Sequence, residues 1–281
     1  MDTNVTLILI SHKSRELIFK FINNIYDKFE IIILDNSNDI HLEKEIKYKY
    51  PKIIFKIIEN SGYGSAINIA SKLVKTKYFL VSNPDIEGIN KQTILEFLKA
   101  ANKLKDKFSL LGPRFLNANP KSHKQSINNL DIAEMQFLSG ACMFFNKKNF
   151  DLIGGFDENF FLYFEENDFC FRSHKINKNY QINNIQIKHN VGKSVKTDSH
   201  KEELNLSNLR TWHFIWSKFY YYKKHYTFTF AIIFFIPIIF RIKFKIYFYT
   251  LLDDKSNIEK YSIRWSGLKN SILNKKSFKR I

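Results

Sequence analysis

The sequence predicts an α/β fold: a Rossmann-like, mostly parallel central sheet covered by helices, followed by an aromatic and basic helical extension. Three observations predict it. Short, nearly all-apolar runs alternate with helical segments, the pattern of strands buried on both faces of a parallel sheet. Polar residues close several of these runs, and such sheets bind ligands outside the carboxyl ends of their strands. The alternation ends near residue 200, and the remaining chain holds all three tryptophans and 16 Lys+Arg against 5 Asp+Glu.

The elements follow in order. Residues 5–10 are rich in β-branched side chains and read as a buried strand ending at Ser11. A helix is expected over 16–26 and a second strand over 29–34, ending at Asp35-Asn36-Ser37. A charged helix over 42–50 stops at Pro51, which cannot continue it. A strand over 53–59 leads to the Asn60-Ser61-Gly62-Tyr63-Gly64 turn and a helix over 65–74. A fourth strand, 77–81, ends at Ser82-Asn83-Pro84-Asp85, and a helix covers 93–104. After Gly112-Pro113 the pattern changes: 121–131 is polar and reads as a loop, 137–145 is strand-like, and 182–188 is a strand before His189. Ser11, Asp35, Asn60 and Asp85 thus fall on the expected ligand edge. Each alone reads equally well as a helix N-cap.

Composition bounds the function. A chain of 281 residues buries a full core. Cys142 and Cys170 are too few for a disulfide framework and lack metal-ligand spacing, which suits a reducing compartment. Asp2 stands where a signal peptide would be basic, so no leader is expected. The formal charge is +17. Bases mixed with Trp and Tyr suit an anionic membrane surface, and no nucleic-acid motif accompanies them.

The most informative segment runs from Gly154-Gly155-Phe156-Asp157 through four aromatics to Glu165-Glu166-Asn167-Asp168. Acids crowded among aromatics repel one another and are desolvated, and their pKa values tend to rise. A reaction that removes a proton from a hydroxyl needs such a group. The plainer reading is a helix start, where acids are favoured.

With these segments in place, the chain resembles the family 2 inverting glycosyltransferases of the GT-A fold, especially the rhamnosyltransferase-like branch that builds bacterial surface polysaccharides. The matching residues, in the family's order, are Leu9-Ile10-Ser11, Ile33 to Ser37, Asn60 to Asn68, Asn83-Pro84-Asp85, Ser139 to Met143, Gly154 to Asp168, and His189 with Ser194. The resemblance implies a GT-A domain over 1–200, with a donor half to about 112 and an acceptor half beyond it, and an extension over 201–281. It implies that Ser11 and Asp35 contact the nucleotide, that Asn60, Gly62, Asn68 and Asn83 shape the donor pocket, and that Asp85 and His189 hold a divalent Mn or Mg on the diphosphate. It places Gly140, Gly155, Phe156 and Asp157 on the acceptor side. Glu166 matches the general base, with Glu165 as its rival and Asp168 as an acceptor-orienting or capping acid.

The implied partners are a dTDP- or UDP-linked sugar and a glycan acceptor, lipid-linked or free. The implied location is peripheral, on the cytoplasmic face of the inner membrane, or else cytoplasmic. Three departures stand out. His12-Lys13 replace the family's usual aromatic and Asn, the metal motif has one acid, and Glu165-Glu166 replace a Glu-Asp pair. The Gln-x-x-Arg-Trp motif of processive synthases is absent from the sequence, so one sugar per encounter is expected.

Residues 226–240 carry no charge but are short for the roughly 20 apolar residues of a spanning helix, and Pro237 interrupts them. A buried core helix, an in-plane anchor and a re-entrant hairpin all fit. Two other functions compete with sugar transfer. A sugar nucleotidyltransferase needs a glycine-rich basic loop, whereas the first turn is Ser11-His12-Lys13-Ser14-Arg15. A basic, non-catalytic membrane scaffold leaves the polar strand ends and the acid cluster without a purpose.

Overall fold

Every side chain of the first strand, β1 (Val5–Ser11), is buried, as its all-apolar sequence requires for a strand covered on both faces. The computed structural model describes residues 4–118, 125–126, 130–192, 194–197 and 199–280. The loop expected over 121–131 lies mostly outside them. The described chain divides into two units, Met1–Asp157 with Glu166–Lys196, and Glu158–Glu165 with Thr197–Ile281.

In the first unit β1 is followed by α1 (Arg15–Ile22), β2 (Glu30–Asp35), α2 (Ile40–Lys49), β3 (Ile54–Ile57), α3 (Tyr63–Ser71) and β4 (Tyr78–Ser82). Then come β5 (Ile86–Glu87), α4 (Lys91–Lys103), β6 (Leu110–Phe115), β7 (Ile132–Met135), β8 (Cys142–Asn146), α5 (Lys147–Ile153), α6 (Glu165–Ser173) and β9 (Asn179–His189). The strand order is β3-β2-β1-β4-β8-β6-β9-β5, with β7 also on β9. The β3, β2, β1 and β4 ladders are parallel, while β8 enters antiparallel between β4 and β6. Leu7, Leu9, Ile31 and Ile33 pack with α1, α2 and α4 in one core cluster. Ile8, Ile10, Ile32 and Leu34 point the other way and pack with α3, α5 and Phe169 of α6. The two-residue alternation of a strand produces this division.

The sequence reading needs three corrections here. The change of character after Gly112-Pro113 conceals β6, which runs straight through both residues. Pro113 is tolerated because the β6–β9 register shifts between Pro113 and Arg114, the kind of irregularity where proline fits in a sheet. The strand-like run 137–145 resolves into a loop and the shorter β8. In the second unit, α7 (His200–His225), α8 (Phe228–Leu251) and α9 (Lys255–Ile272) follow. Pro237 lies inside α8 and does not end it, so the re-entrant hairpin is excluded. Large parts of α8 are exposed, which excludes the buried core helix.

Within that unit α7 and α9 meet at Gly267, where a Cβ would fall 2.6 Å from the Trp212 carbonyl oxygen. Ser271 Oγ donates to the Trp216 carbonyl (3.0 Å), and Trp212 Nε1 donates to Ser266 Oγ (3.2 Å). Segment 158–165 belongs to the same unit. Ser217 of α7 donates to the Leu162 carbonyl (2.8 Å), and the Phe160 ring stands edge-on to Tyr220 (4.9 Å).

Candidate active site

The parallel ladder sets Ser11 beside Asp35 on its last rung, and Asp35 beside Ile57. Both polar residues are fully buried. Burial without partners would be costly, and Asp35 has several. Its carboxylate accepts from the backbone N–H groups of Ser37 and Asp39 (3.0 Å each) and from Ser37 Oγ (3.1 Å). Asp35 therefore fixes the turn after β2, while the cap of α2 is Asp39, which accepts from Leu42 N (2.8 Å).

A polar ladder crosses the neighbouring loops. His12 Nδ1 lies 2.8 Å from Asn36 Oδ1, and Asn36 Nδ2 donates to Asn60 Oδ1 (3.2 Å). The amide orientation requires His12 to carry its proton on Nδ1. His12 and Asn36 were not among the expected site residues; their adjacency depends on the parallel register. Gly62, at φ +106, occupies a backbone region that favours glycine and offers no side-chain cap to α3.

Asn68 of α3 works at long range. Its Nδ2 donates to the Phe156 carbonyl and its Oδ1 accepts from Phe156 N, both at 2.9 Å. Gly155, at φ +66, leaves room for it: a Cβ there would lie 2.6 Å from Asn68 Oδ1. Arg172 of α6 closes the same turn, donating to the carbonyls of Ile153 and Gly155 (2.7 Å each). Its Nε pairs with the fully buried Asp168 (2.8 Å). Asp168 thus supports the arginine that holds the Gly-Gly turn; the i,i+4 spacing was a signal available in the sequence.

Tyr63 donates to the Gly140 carbonyl (3.0 Å). A Cβ on Gly140 would meet the Glu166 side chain at 3.5 Å, so glycine lets that carboxylate lie against the turn before β8. The three acids of α6 differ in access. Glu165 is 5 % exposed and Asp168 0 %, while Glu166 is half-buried and accepts from Asn167 Nδ2 (3.0 Å). Just before them, Tyr163 and Phe164 hold left-handed backbone at φ 67 and 69, a conformation that costs non-glycine residues energy. Within the second unit their rings pack on Phe214. Nothing in the local sequence announces that turn. Asp157 ends the first unit's long segment.

Asp85 is 1 % exposed. Its Oδ2 accepts from Ser194 Oγ (2.6 Å), while Oδ1 has no hydrogen-bond partner among the described residues. His189 Nε2 stands 3.4 Å from that oxygen. The imidazole is held by its own backbone, which exchanges two hydrogen bonds with the Asn117 amide (2.9 and 3.0 Å). Asn83 N reaches back to the Ala141 carbonyl (2.9 Å), which ties the β4 end to the turn at Gly140.

A buried carboxylate oxygen without a donor, facing an imidazole nitrogen, fits a divalent cation. Neighbouring ligands on Mg²⁺ or Mn²⁺ at about 2.1 Å are separated by roughly 3 Å. Among the described residues no cluster of three His, Cys, Asp or Glu could hold a metal. Asp85 and His189 would therefore leave positions open for other oxygen ligands.

Comparison with known proteins identifies the family and the fold. The model of the family "Glycosyl transferase family 2" matches residues 9–157. The low-salt glycan biosynthesis hexosyltransferase Agl10 of Haloferax volcanii is 27% identical over 201 residues, covering 64% of this chain and 64% of its own length. The rhamnosyltransferase WbbL of Escherichia coli K12 is 24% identical over 203 residues, covering 60% of this chain and 76% of WbbL. The crystal structure of GalNAc-T7 with UDP, GalNAc and Mn²⁺ superposes with a TM-score of 0.55 at 12% identity, over 78% of this chain and 50% of that one. The fold is accordingly that of the GT-A glycosyltransferases, and the chain spans about two thirds of Agl10 and half of GalNAc-T7.

Proposed function

Since the chain belongs to glycosyl transferase family 2, we propose that it moves one sugar from a nucleotide-sugar donor to a glycan acceptor, with inversion at the anomeric carbon. The donor is dTDP-rhamnose or a UDP-sugar. The acceptor is a growing bacterial surface glycan of the lipopolysaccharide, O-antigen or capsule type, met at the cytoplasmic face of the inner membrane. The observation that carries the reading is Asp85, a buried carboxylate with one oxygen that has no hydrogen-bond partner among the described residues and faces His189 at 3.4 Å, just past the carboxyl end of β4.

The chain's own groups divide the work. Ser11, Asp35 and Asn60 shape the nucleotide end of the donor site, with Asn68, Gly62 and Asn83 supporting it. Asp85 and His189 would hold a divalent Mn or Mg, which when bound supplies positive charge to the diphosphate leaving group. Glu166 acts as general base. It takes the proton from the acceptor hydroxyl as that oxygen bonds to the anomeric carbon. The bond from that carbon to the diphosphate oxygen breaks, and its electron pair leaves with the nucleoside diphosphate. The access of Glu166, against the burial of Glu165 and Asp168, supports this choice among the three acids. Gly140 and the Gly155-Phe156-Asp157 turn set the acceptor side.

Glu166→Gln tests the assignment. Turnover should fall about 10²- to 10⁴-fold, the usual range for loss of a general base, while calorimetric donor binding stays within twofold. A variant that keeps full turnover would remove Glu166 from the reaction. A wild-type protein indifferent to every nucleotide sugar would favour the scaffold.

A further inference from the structure

Helix α8 is apolar over most of its surface but packed on only one side. Ala231, Phe235 and Ile242 are buried with Ile215 and Phe219 of α7 and Leu268 of α9. On the opposite side Ile233, Phe240, Phe244, Tyr247 and Leu251 are 61, 72, 60, 63 and 67% exposed. At about 100° per residue these five fall within roughly 40° of one line, and the line runs for about 27 Å. A solvent-facing stripe of a soluble helix carries charged residues, and this one carries none.

The cations of α8 lie beside the stripe. Arg241 and Lys243 project about 80° to its two sides, and Lys245 about 120°. Lys243 Nζ sits 3.9 Å from the ring centroid of Trp265 on α9, which holds it at that margin. No Asp or Glu occurs from residue 226 to residue 252. Among the described residues no helix is long and apolar enough to cross a membrane.

We infer that this stripe is a membrane-docking surface: α8 lies in the plane of an anionic leaflet, with Ile233, Phe240, Phe244, Tyr247 and Leu251 among the acyl chains. Arg241 and Lys243 then meet the phosphates on either side. The complement of an apolar line flanked on both sides by cations is an apolar layer beneath a negative one, which is the interface of such a leaflet. A second copy of α8 laid antiparallel on the stripe would set cations against cations. The inference rests on the membrane-surface part of the proposed function and is independent of the transfer chemistry.

Co-sedimentation of the full chain with lipid vesicles tests it. Wild type should pellet with phosphatidylcholine vesicles containing phosphatidylglycerol, and less at high salt. Phe240→Glu with Phe244→Glu should weaken binding at least tenfold. Arg241→Gln with Lys243→Gln should weaken it about 25-fold on the anionic vesicles, at about fivefold per cation, with little change on phosphatidylcholine alone. Both double variants should keep the far-ultraviolet spectrum and the nucleotide binding of wild type. Wild type left in the supernatant, or vesicle binding unmoved by the Phe240 and Phe244 changes, overturns the inference. So does a lipid-free dimer that the Phe240 and Phe244 changes dissociate while vesicle binding persists. Stripe-dependent binding in a protein that neither binds nor turns over any nucleotide sugar would instead sink the transfer reading and leave this one standing.

Discussion

Gly155→Ala should be far more damaging than the same change one residue earlier. Gly155 sits at φ +66, where a Cβ costs about 1–2 kcal/mol in the backbone alone. That Cβ would also stand 2.6 Å from Asn68 Oδ1 and 3.4 Å from a Phe150 ring carbon. Asn68 cannot withdraw without surrendering its two 2.9 Å hydrogen bonds to Phe156, worth about 1 kcal/mol each. The expected loss is about 3–4 kcal/mol, or roughly 6–16 °C in Tm at about 2–4 °C per kcal/mol. Gly154, at φ +84, has nothing within 4 Å of its added Cβ, so Gly154→Ala should cost only the backbone share, about 1–2 kcal/mol. Urea unfolding of both variants, of Asn68→Ala, and of the Gly155→Ala Asn68→Ala pair closes a cycle. The coupling should be about 2 kcal/mol, because without Asn68 the methyl meets no amide. Equal losses at the two glycines, or additive effects in the pair, would refute the clamp.

Other consequences can be measured directly. Gly267→Ala places a Cβ 2.6 Å from the Trp212 carbonyl oxygen and 2.8 Å from Ile215 Cγ2, so the α7–α9 contact should open and thermal unfolding should show a loss of about 2 kcal/mol or more. Asp168→Asn leaves Arg172 without its buried carboxylate and should cost about 3 kcal/mol in denaturant unfolding, whereas Glu166→Gln should leave stability nearly unchanged. Burial pushes His213 from 6.5 down to about 4. Its neutral ring lies 2.8 Å from the Lys279 carbonyl and 2.9 Å from Ser277 Oγ. The unfolded chain takes up the proton first, so stability is full above about pH 6.5 and falls as pH drops toward 4, by up to about 3 kcal/mol. His213→Asn should flatten that slope in unfolding curves taken across the window.

The N-terminal part of the fold, through β4, was legible because its strands are mostly apolar and its punctuation is polar. Ser11, Asp35 and Asp85 stand where the alternation placed them. The part beyond α4 was harder for definable reasons. Gly112-Pro113 looks like a break, yet a register shift lets β6 continue through it. Phe137-Leu138, running on toward the apolar Cys142–Phe145, mimic the start of a strand in a segment that forms a loop. Long-range clamps, such as Asn68 on Phe156 across 88 positions, leave no local pattern. The left-handed pair Tyr163-Phe164 has no glycine to announce it; ring packing on Phe214 holds it. Pro237 reads as an interruption, but α8 continues to Leu251 because its neighbours α7 and α9 supply the packing that propensity alone does not.

Donor turnover by the purified full chain tests the central claim most directly. A panel of UDP-, dTDP- and GDP-sugars with Mn²⁺ or Mg²⁺ would be followed by nucleoside diphosphate release and by calorimetry. One donor should bind and release its nucleoside diphosphate, slowly without acceptor. Chelation should abolish release, and Asp85→Ala should lower it at least 10²-fold. No binding and no release across the whole panel would contradict the account.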